Sequence, residues 1–147
     1  KGIRRRFSYK IKTEELVLID DYAHHPEEID AVFGAVKEMY PKKPNLVIFQ
    51  PHLFSRTRDF ADDFAEKLAQ FDEIMLMDIY PAREKPIEAI DSEWLLGKID
   101  NPKKQLVKRE ELSAKIAKTK AKVILMLGAG DVGNEVETVK TTLEHEI

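Results

Sequence analysis

The densest set of chemically able side chains lies in DDYAHHPEEID, residues 20–30, where two acids, a tyrosine and two histidines run directly into a proline. Such a set can hold a metal ion, pass a proton, contact a nucleotide, or simply start a helix. A second cluster, QPHLFSRTRDF at residues 50–60, places His52 ahead of Arg56 and Arg58. A guanidinium offers two parallel N–H donors, so this pair can clamp a carboxylate or a phosphate. As plain surface charge it would pair instead with Asp59 and Asp62. A third stretch, Gly128-Ala129-Gly130-Asp131-Val132-Gly133, matches the spacing G-x-G-x-x-G. Near the front, Arg4-Arg5-Arg6 can hold one phosphate.

Spacing limits each of these readings. Neighbouring residues in an extended loop point in opposite directions, so His24 and His25 do not readily share one ion. No i, i+4 histidine pair supports them, and a metal held by this chain alone is not expected. A histidine that bonds a ligand or caps the helix is the better reading. The dinucleotide fingerprint belongs to a first βαβ unit, with an acid about 20 residues on. Here the glycines come after a late strand, and residues 134–147 have room for one helix. A tight strand-to-helix turn is expected, with an anion possible at that helix start but not NAD. Asp20-Asp21 with Asp78 also resembles the acidic site of a receiver domain in two-component signalling. A receiver's last strand should end in Lys-Pro, however, and this one ends in Gly-Ala-Gly.

The elements that must position these residues are read from periodicity. Apolar runs at residues 16–19, 46–49, 74–77 and 123–127 lack alternation, as expected of strands covered on both faces. Ile29, Val32, Phe33, Val36, Met39 and Tyr40 recur at helical spacing, with Pro26, Glu27 and Glu28 suiting the helix start. A second helix is expected over about 58–70, with Phe60, Phe64 and Leu68 inward. Shorter helices are expected near 92–98 and 110–118, and a last one after Gly133. Leu106-Val107 reads as a weak strand. Phe7, Tyr9 and Ile11 alternate with polar residues as an antiparallel edge strand, joined by the turn Thr13-Glu14-Glu15 to the first buried strand. The alternation predicts an α/β domain, a doubly wound Rossmann-like, mostly parallel sheet with one antiparallel edge strand. Ligands of such sheets bind beyond the carboxyl ends of the strands. The loops at 20–26, 50–58, 78–84 and 128–133 all fall there.

Composition narrows the class. With 147 residues, 43% hydrophobic and 35% charged, the chain has the size of one globular domain. A net charge of −3 makes nucleic acid an unexpected partner. No run approaches the ~20 apolar residues of a membrane span, and no secretory signal is read at the front. There is no cysteine, so a cytoplasmic setting is expected. The chain opens on Lys1, and a piece of a longer protein is the expectation.

Taken in order, these segments resemble the C-terminal domain of the Mur ligases, ATP-dependent amide-bond ligases of peptidoglycan synthesis. Asp21-Tyr22-Ala23-His24-His25-Pro26 resembles the D-Y-A-H-x-P segment that opens that domain. The double histidine is similar to the branch acting directly on UDP-N-acetylmuramate. FQPHLFSRTRDF, DIYPAREKPIEAIDS and LGAGDV are similar to members that join L-alanine to it. GIRRRF resembles the junction between central and C-terminal domains.

The resemblance implies that ATP phosphorylates the muramate carboxylate, the L-alanine amine attacks the acyl phosphate, and an amide forms with release of ADP and phosphate. It implies that this domain closes over a central one, positioning the reactants and excluding water. By resemblance Asp21 contacts the ATP ribose, Tyr22 and His24 line the same cleft, and Arg5 or Arg6 meets ATP phosphate or ribose. His52 and Arg56 orient the amino acid, Arg56 taking its carboxylate. Mg²⁺ is held mainly by the central domain, and no residue of this domain is assigned a catalytic role. Two positions depart from the pattern. Leu53 stands where some relatives carry a second arginine, and Ala89 stands where glycine is usual after Pro-Ile-Glu. No G-x-x-G-K-[ST] phosphate loop occurs. Residues 1–147 are therefore expected to be one C-terminal domain, with 1–12 as junction and edge strand, inactive without the central and N-terminal domains. The alternatives are the related ligase that attaches a recycled tripeptide to the same sugar nucleotide, and the receiver-like phosphoacceptor module.

Overall fold

Four runs of consecutive apolar residues form the middle of one six-stranded sheet, and their lack of alternation has a direct cause. In the computed structural model, whose described residues are 6–146, each of these strands is covered on both faces. The strands are β1 (Ser8–Lys12), β2 (Val17–Asp21), β3 (Asn45–Phe49), β4 (Glu73–Leu76), β5 (Lys104–Leu106) and β6 (Val123–Leu127), in the order β1-β2-β6-β3-β4-β5. All pair in parallel except β1 with β2.

Side chains of period two divide between two cores. Val17, Ile19, Val47, Phe49, Ile74, Leu76, Leu125 and Leu127 face one, with Ile29, Val32, Val36, Phe64, Leu68 and Leu95 from the helices above. Leu18, Leu46, Ile48, Met75, Ile124 and Met126 face the other, with Leu112, Ile116, Val136, Val139 and Leu143 below. The first layer consists of α1 (Pro26–Met39), α2 (Phe54–Asp59), α3 (Ala61–Ala69) and α4 (Ser92–Leu96); the second consists of α5 (Leu112–Ile116) and α6 (Val136–Glu146). This is a doubly wound, Rossmann-like α/β sheet with one antiparallel edge strand.

Several local expectations are corrected. Residues 58–70 are not one helix: the chain turns helical already at Phe54 and breaks at Phe60 (φ −116°, ψ 21°). The break rotates Phe60 outward, leaving it 44% exposed while Phe64 and Leu68 are buried. Met39, in the last turn of α1, is likewise exposed rather than inward. The edge strand does not keep a single apolar face. A bulge between Tyr9 and Ile11 shifts the register, so Phe7 and Tyr9 pack on the first core and Ile11 on the second. The last helix does follow Gly133 as expected, beginning at Val136 after a 3₁₀ turn over Asp131–Glu135. A similar 3₁₀ turn, Arg109–Glu111, precedes α5. Among the described residues no helix is long and apolar enough to cross a membrane.

Candidate functional site

Three adjacent strands, β2, β6 and β3, deliver their carboxyl ends side by side. The helices after β2 and β3 lie on one face and the helix after β6 on the other, which opens a crevice at the strand ends. Asp21 closes β2 and ties three segments together. Its Oδ2 accepts from the Phe7 N–H (2.7 Å), its Oδ1 from the Ala23 N–H (2.8 Å), and its carbonyl from the Gly128 N–H (3.2 Å). Burial raises the Asp21 pKa above its usual value, with those two N–H donors and the Arg6 charge opposing the shift.

The chain then turns through His24 and His25 into α1. Pro26 takes the first turn, and Glu28 reaches back to accept from the His24 and His25 N–H groups (2.9 and 3.1 Å). The Pro-Glu-Glu half of the segment is thus helix-start chemistry. His24 Nδ1 lies 3.0 Å from the Tyr22 carbonyl. A carbonyl only accepts, so the neutral ring carries its proton on Nδ1 and Nε2 is the acceptor nitrogen. Arg6, Phe7, Asp21, Tyr22, His24 and Val32 line a cleft of about 620 Å³. Four of the five residues expected at ATP therefore meet in one cavity; Arg5 lies outside the described residues.

The residues expected at the amino acid stand beside that cleft. The His52 ring lies 5.9 Å from that of His24, and His24 lies 4.7 Å from His25. Tyr80 backs His52 at 5.4 Å with the planes 34° apart. Arg56 follows in α2. His52 Nδ1 and Arg56 Nη1 are buried, and neither has a partner among the described residues. Burying such atoms unpaired costs roughly 1–3 kcal/mol each, more when charged, and their place beside the cleft suits a polar or anionic partner. Burial and the neighbouring Arg56 and His24 charges hold the pKa of His52 below its usual value, and the same causes act on His25. Arg58 does not share the Arg56 environment. Its Nε is bound to Asp59 at 2.8 Å on the surface.

Other readings of these motifs lose their geometry. Two strands, β6 and β3, separate β2 from β4, so Asp20 and Asp21 stand roughly 14 Å to one side of the Asp78 position, too far to share an ion as a receiver's acids do. Asp78 is exposed and pairs with Lys108. Among the described residues no three His, Asp or Glu side chains converge as metal ligands do. The Gly128–Gly133 stretch is a tight turn. A Cβ on Gly128 (φ 145°) would stand 3.0 Å from the Gln50 carbonyl, and one on Gly130 only 2.5 Å from Tyr80 Cγ. Gln50 is a residue that sequence reasoning missed. Buried at the end of β3, it donates to Asp131 (2.6 Å) and accepts from the Val132 N–H (2.8 Å), fixing that turn behind His52. Asp131 is also gripped by Arg109, which holds Glu135 at 3.1 Å. A glutamine just past an apolar strand run was the available signal.

A family model for the Mur ligase, glutamate ligase domain, matches residues 5–132, and the chain belongs to that family. Among its relatives, a UDP-N-acetylmuramate–L-alanine ligase from Christiangramia forsetii is 63% identical over 146 residues, covering 99% of this chain and 32% of the relative. The chain thus spans about a third of the length of the curated relatives it matches. A solved UDP-N-acetylmuramate-alanine ligase from Thermotoga maritima superimposes with a TM-score of 0.73 at 26% identity, over 97% of this chain and 30% of that one. A MurF ligase from the same organism, solved in complex with ADP, shares the fold alone (TM-score 0.63, 17% identity, 97% of this chain and 32% of that one).

Proposed function

We propose that this chain is the C-terminal domain of an ATP-dependent ligase that joins L-alanine to UDP-N-acetylmuramate through an acyl phosphate. The observation that carries the reading is the pair of buried, unpartnered nitrogen atoms, His52 Nδ1 and Arg56 Nη1, beside a cleft lined by Arg6, Asp21, Tyr22 and His24. Relatives named for this reaction, and an ADP-bound ligase of the same fold, support it.

In this reading Arg56 takes the carboxylate of the amino acid, where a guanidinium suits two oxygen atoms. His52, kept neutral by burial and by Arg56, orients the amine end without adding a competing positive charge. Asp21, Tyr22 and His24 face the ribose side of ATP, and Arg5 or Arg6 its phosphates. Mg²⁺ accompanies ATP and is held by the central domain. Closure over that domain brings the two half-sites together and keeps water from the acyl phosphate. Use of ATP and a sugar nucleotide sets the reaction in the cytoplasm.

The test is product formation. The full-length protein, given ATP, UDP-N-acetylmuramate and L-alanine, is expected to form the alanyl amide with stoichiometric ADP, while residues 1–147 alone form none. Preferential coupling of a tripeptide would assign it to the recycling reaction instead, and turnover by residues 1–147 would overturn the half-site reading.

A further inference from the structure

The turn that carries His52 and Arg56 lacks a cap of its own. Leu53, the residue before α2, has an aliphatic side chain and a left-handed backbone (φ 72°), so it offers no oxygen to the N–H groups of the first turn. At six residues α2 is also too short to persist without outside support. That support comes from the loop beyond β4. The Tyr80 N–H donates to the Pro51 carbonyl (2.8 Å), and the Leu53 N–H donates to the Tyr80 carbonyl (2.8 Å). Glu84 completes the set: Oε1 accepts from the Ser55 N–H at 3.0 Å and Oε2 from the Ser55 hydroxyl.

We infer that Glu84 is a positioning residue for the amino-acid clamp: by binding Ser55 at both its N–H and its hydroxyl, it sets the turn from which Arg56 projects. The inference rests on the reading of Arg56 as the carboxylate clamp. Its geometry is specific in two ways. Ser55 is the immediate neighbour of Arg56, so a rotation of the turn about Ser55 moves the guanidinium with it. Arg58, two residues further on, feels the Glu84 charge but is held by Asp59 on the surface. The tie also gives the loop at 81–90 a task, since it joins the amino-acid side of the site to the carboxyl end of β4. The lowered pKa of Glu84, caused first by the Ser55 hydroxyl, agrees with an ionised acceptor.

The experiment uses the full-length protein and steady-state kinetics with ATP and L-alanine varied separately. Glu84→Gln and Ser55→Ala are each expected to raise the KM for L-alanine about three- to tenfold, as loss of a charge-assisted tie acting through Arg56. The KM for ATP should stay within about twofold, and the double variant should be no worse than the more affected single one. Arg56→Ala is the reference. If it raises the alanine KM while Glu84→Gln and Ser55→Ala do not, the positioning role is wrong and the clamp stands. If the two substrates' KM values rise together, or effects of the single variants add, Glu84 is only a structural contact and the inference is overturned. A flat response to Arg56→Ala removes the clamp, and the positioning role with it.

Discussion

His52 and His25 carry a consequence for pH. Both are held below the ordinary 6.5, first by burial and then by Arg56 and His24. A histidine whose folded pKa is depressed binds its proton less readily in the native state than in the unfolded chain. Their contribution to stability is therefore full above 6.5 and is lost as pH falls through that value. Glu28, held low by the His24 and His25 N–H groups against the opposing effect of burial, gives way at lower pH still; Asp21, raised by burial, acts with the opposite sign. Thermal unfolding of the domain is expected to show a falling midpoint from pH 7 to pH 5.5 and a smaller fall in His52→Gln. Identical pH profiles for the two proteins would contradict the assignment to His52.

At the scale of elements, two backbone positions give direct tests. Ala89 adopts φ 70°, the left-handed region where a Cβ is strained. Glycine adopts this backbone freely, whereas alanine carries a cost there. Ala89→Gly is expected to stabilise the fold by roughly 0.5–1 kcal/mol, the relief of strain less the added freedom of the unfolded chain; urea unfolding checks it, and a destabilised variant would refute it. Gly130→Ala goes the other way. Its Cβ would meet Tyr80 Cγ at 2.5 Å and Gln50 Oε1 at 2.6 Å. A loss of about 1–3 kcal/mol is expected in the same assay, together with a higher KM for L-alanine because Tyr80 backs His52. Wild-type stability and kinetics would show that the turn yields without disturbing the site.

These elements also show what was legible beforehand. The unbroken apolar runs at 46–49 and 123–127 revealed two-sided burial, because period-two patterning disappears when both faces are covered. The polar loops then fell at strand ends by topology alone. The β1 bulge, the outward turn of Phe60 and the early start of α2 were not legible. The early start of α2 depends on a contact far along the chain, Glu84 with Ser55, 29 residues apart. Gln50 was hidden for the same reason, since its partners Asp131 and Val132 lie 81 and 82 residues away.

At the scale of the whole molecule, the proposed function makes the cleft one wall of a site. It presents Arg6, Asp21, Tyr22 and His24 on one open side, while the chain spans about a third of its relatives' length. In that reading nucleotide bound to this wall alone forgoes the contacts that closure would supply, so calorimetric titration of residues 1–147 with ADP is expected to give a Kd on the order of millimolar. Submicromolar binding would mean that this domain holds a complete nucleotide site. The most direct test of the account is steady-state kinetics of Arg56→Ala in the full-length protein. The KM for L-alanine is expected to rise on the order of 30-fold or more, equivalent to about 2 kcal/mol, with the KM for ATP within about twofold. An unchanged alanine dependence would contradict the assignment of Arg56, with its buried, unpartnered Nη1, to the amino-acid carboxylate.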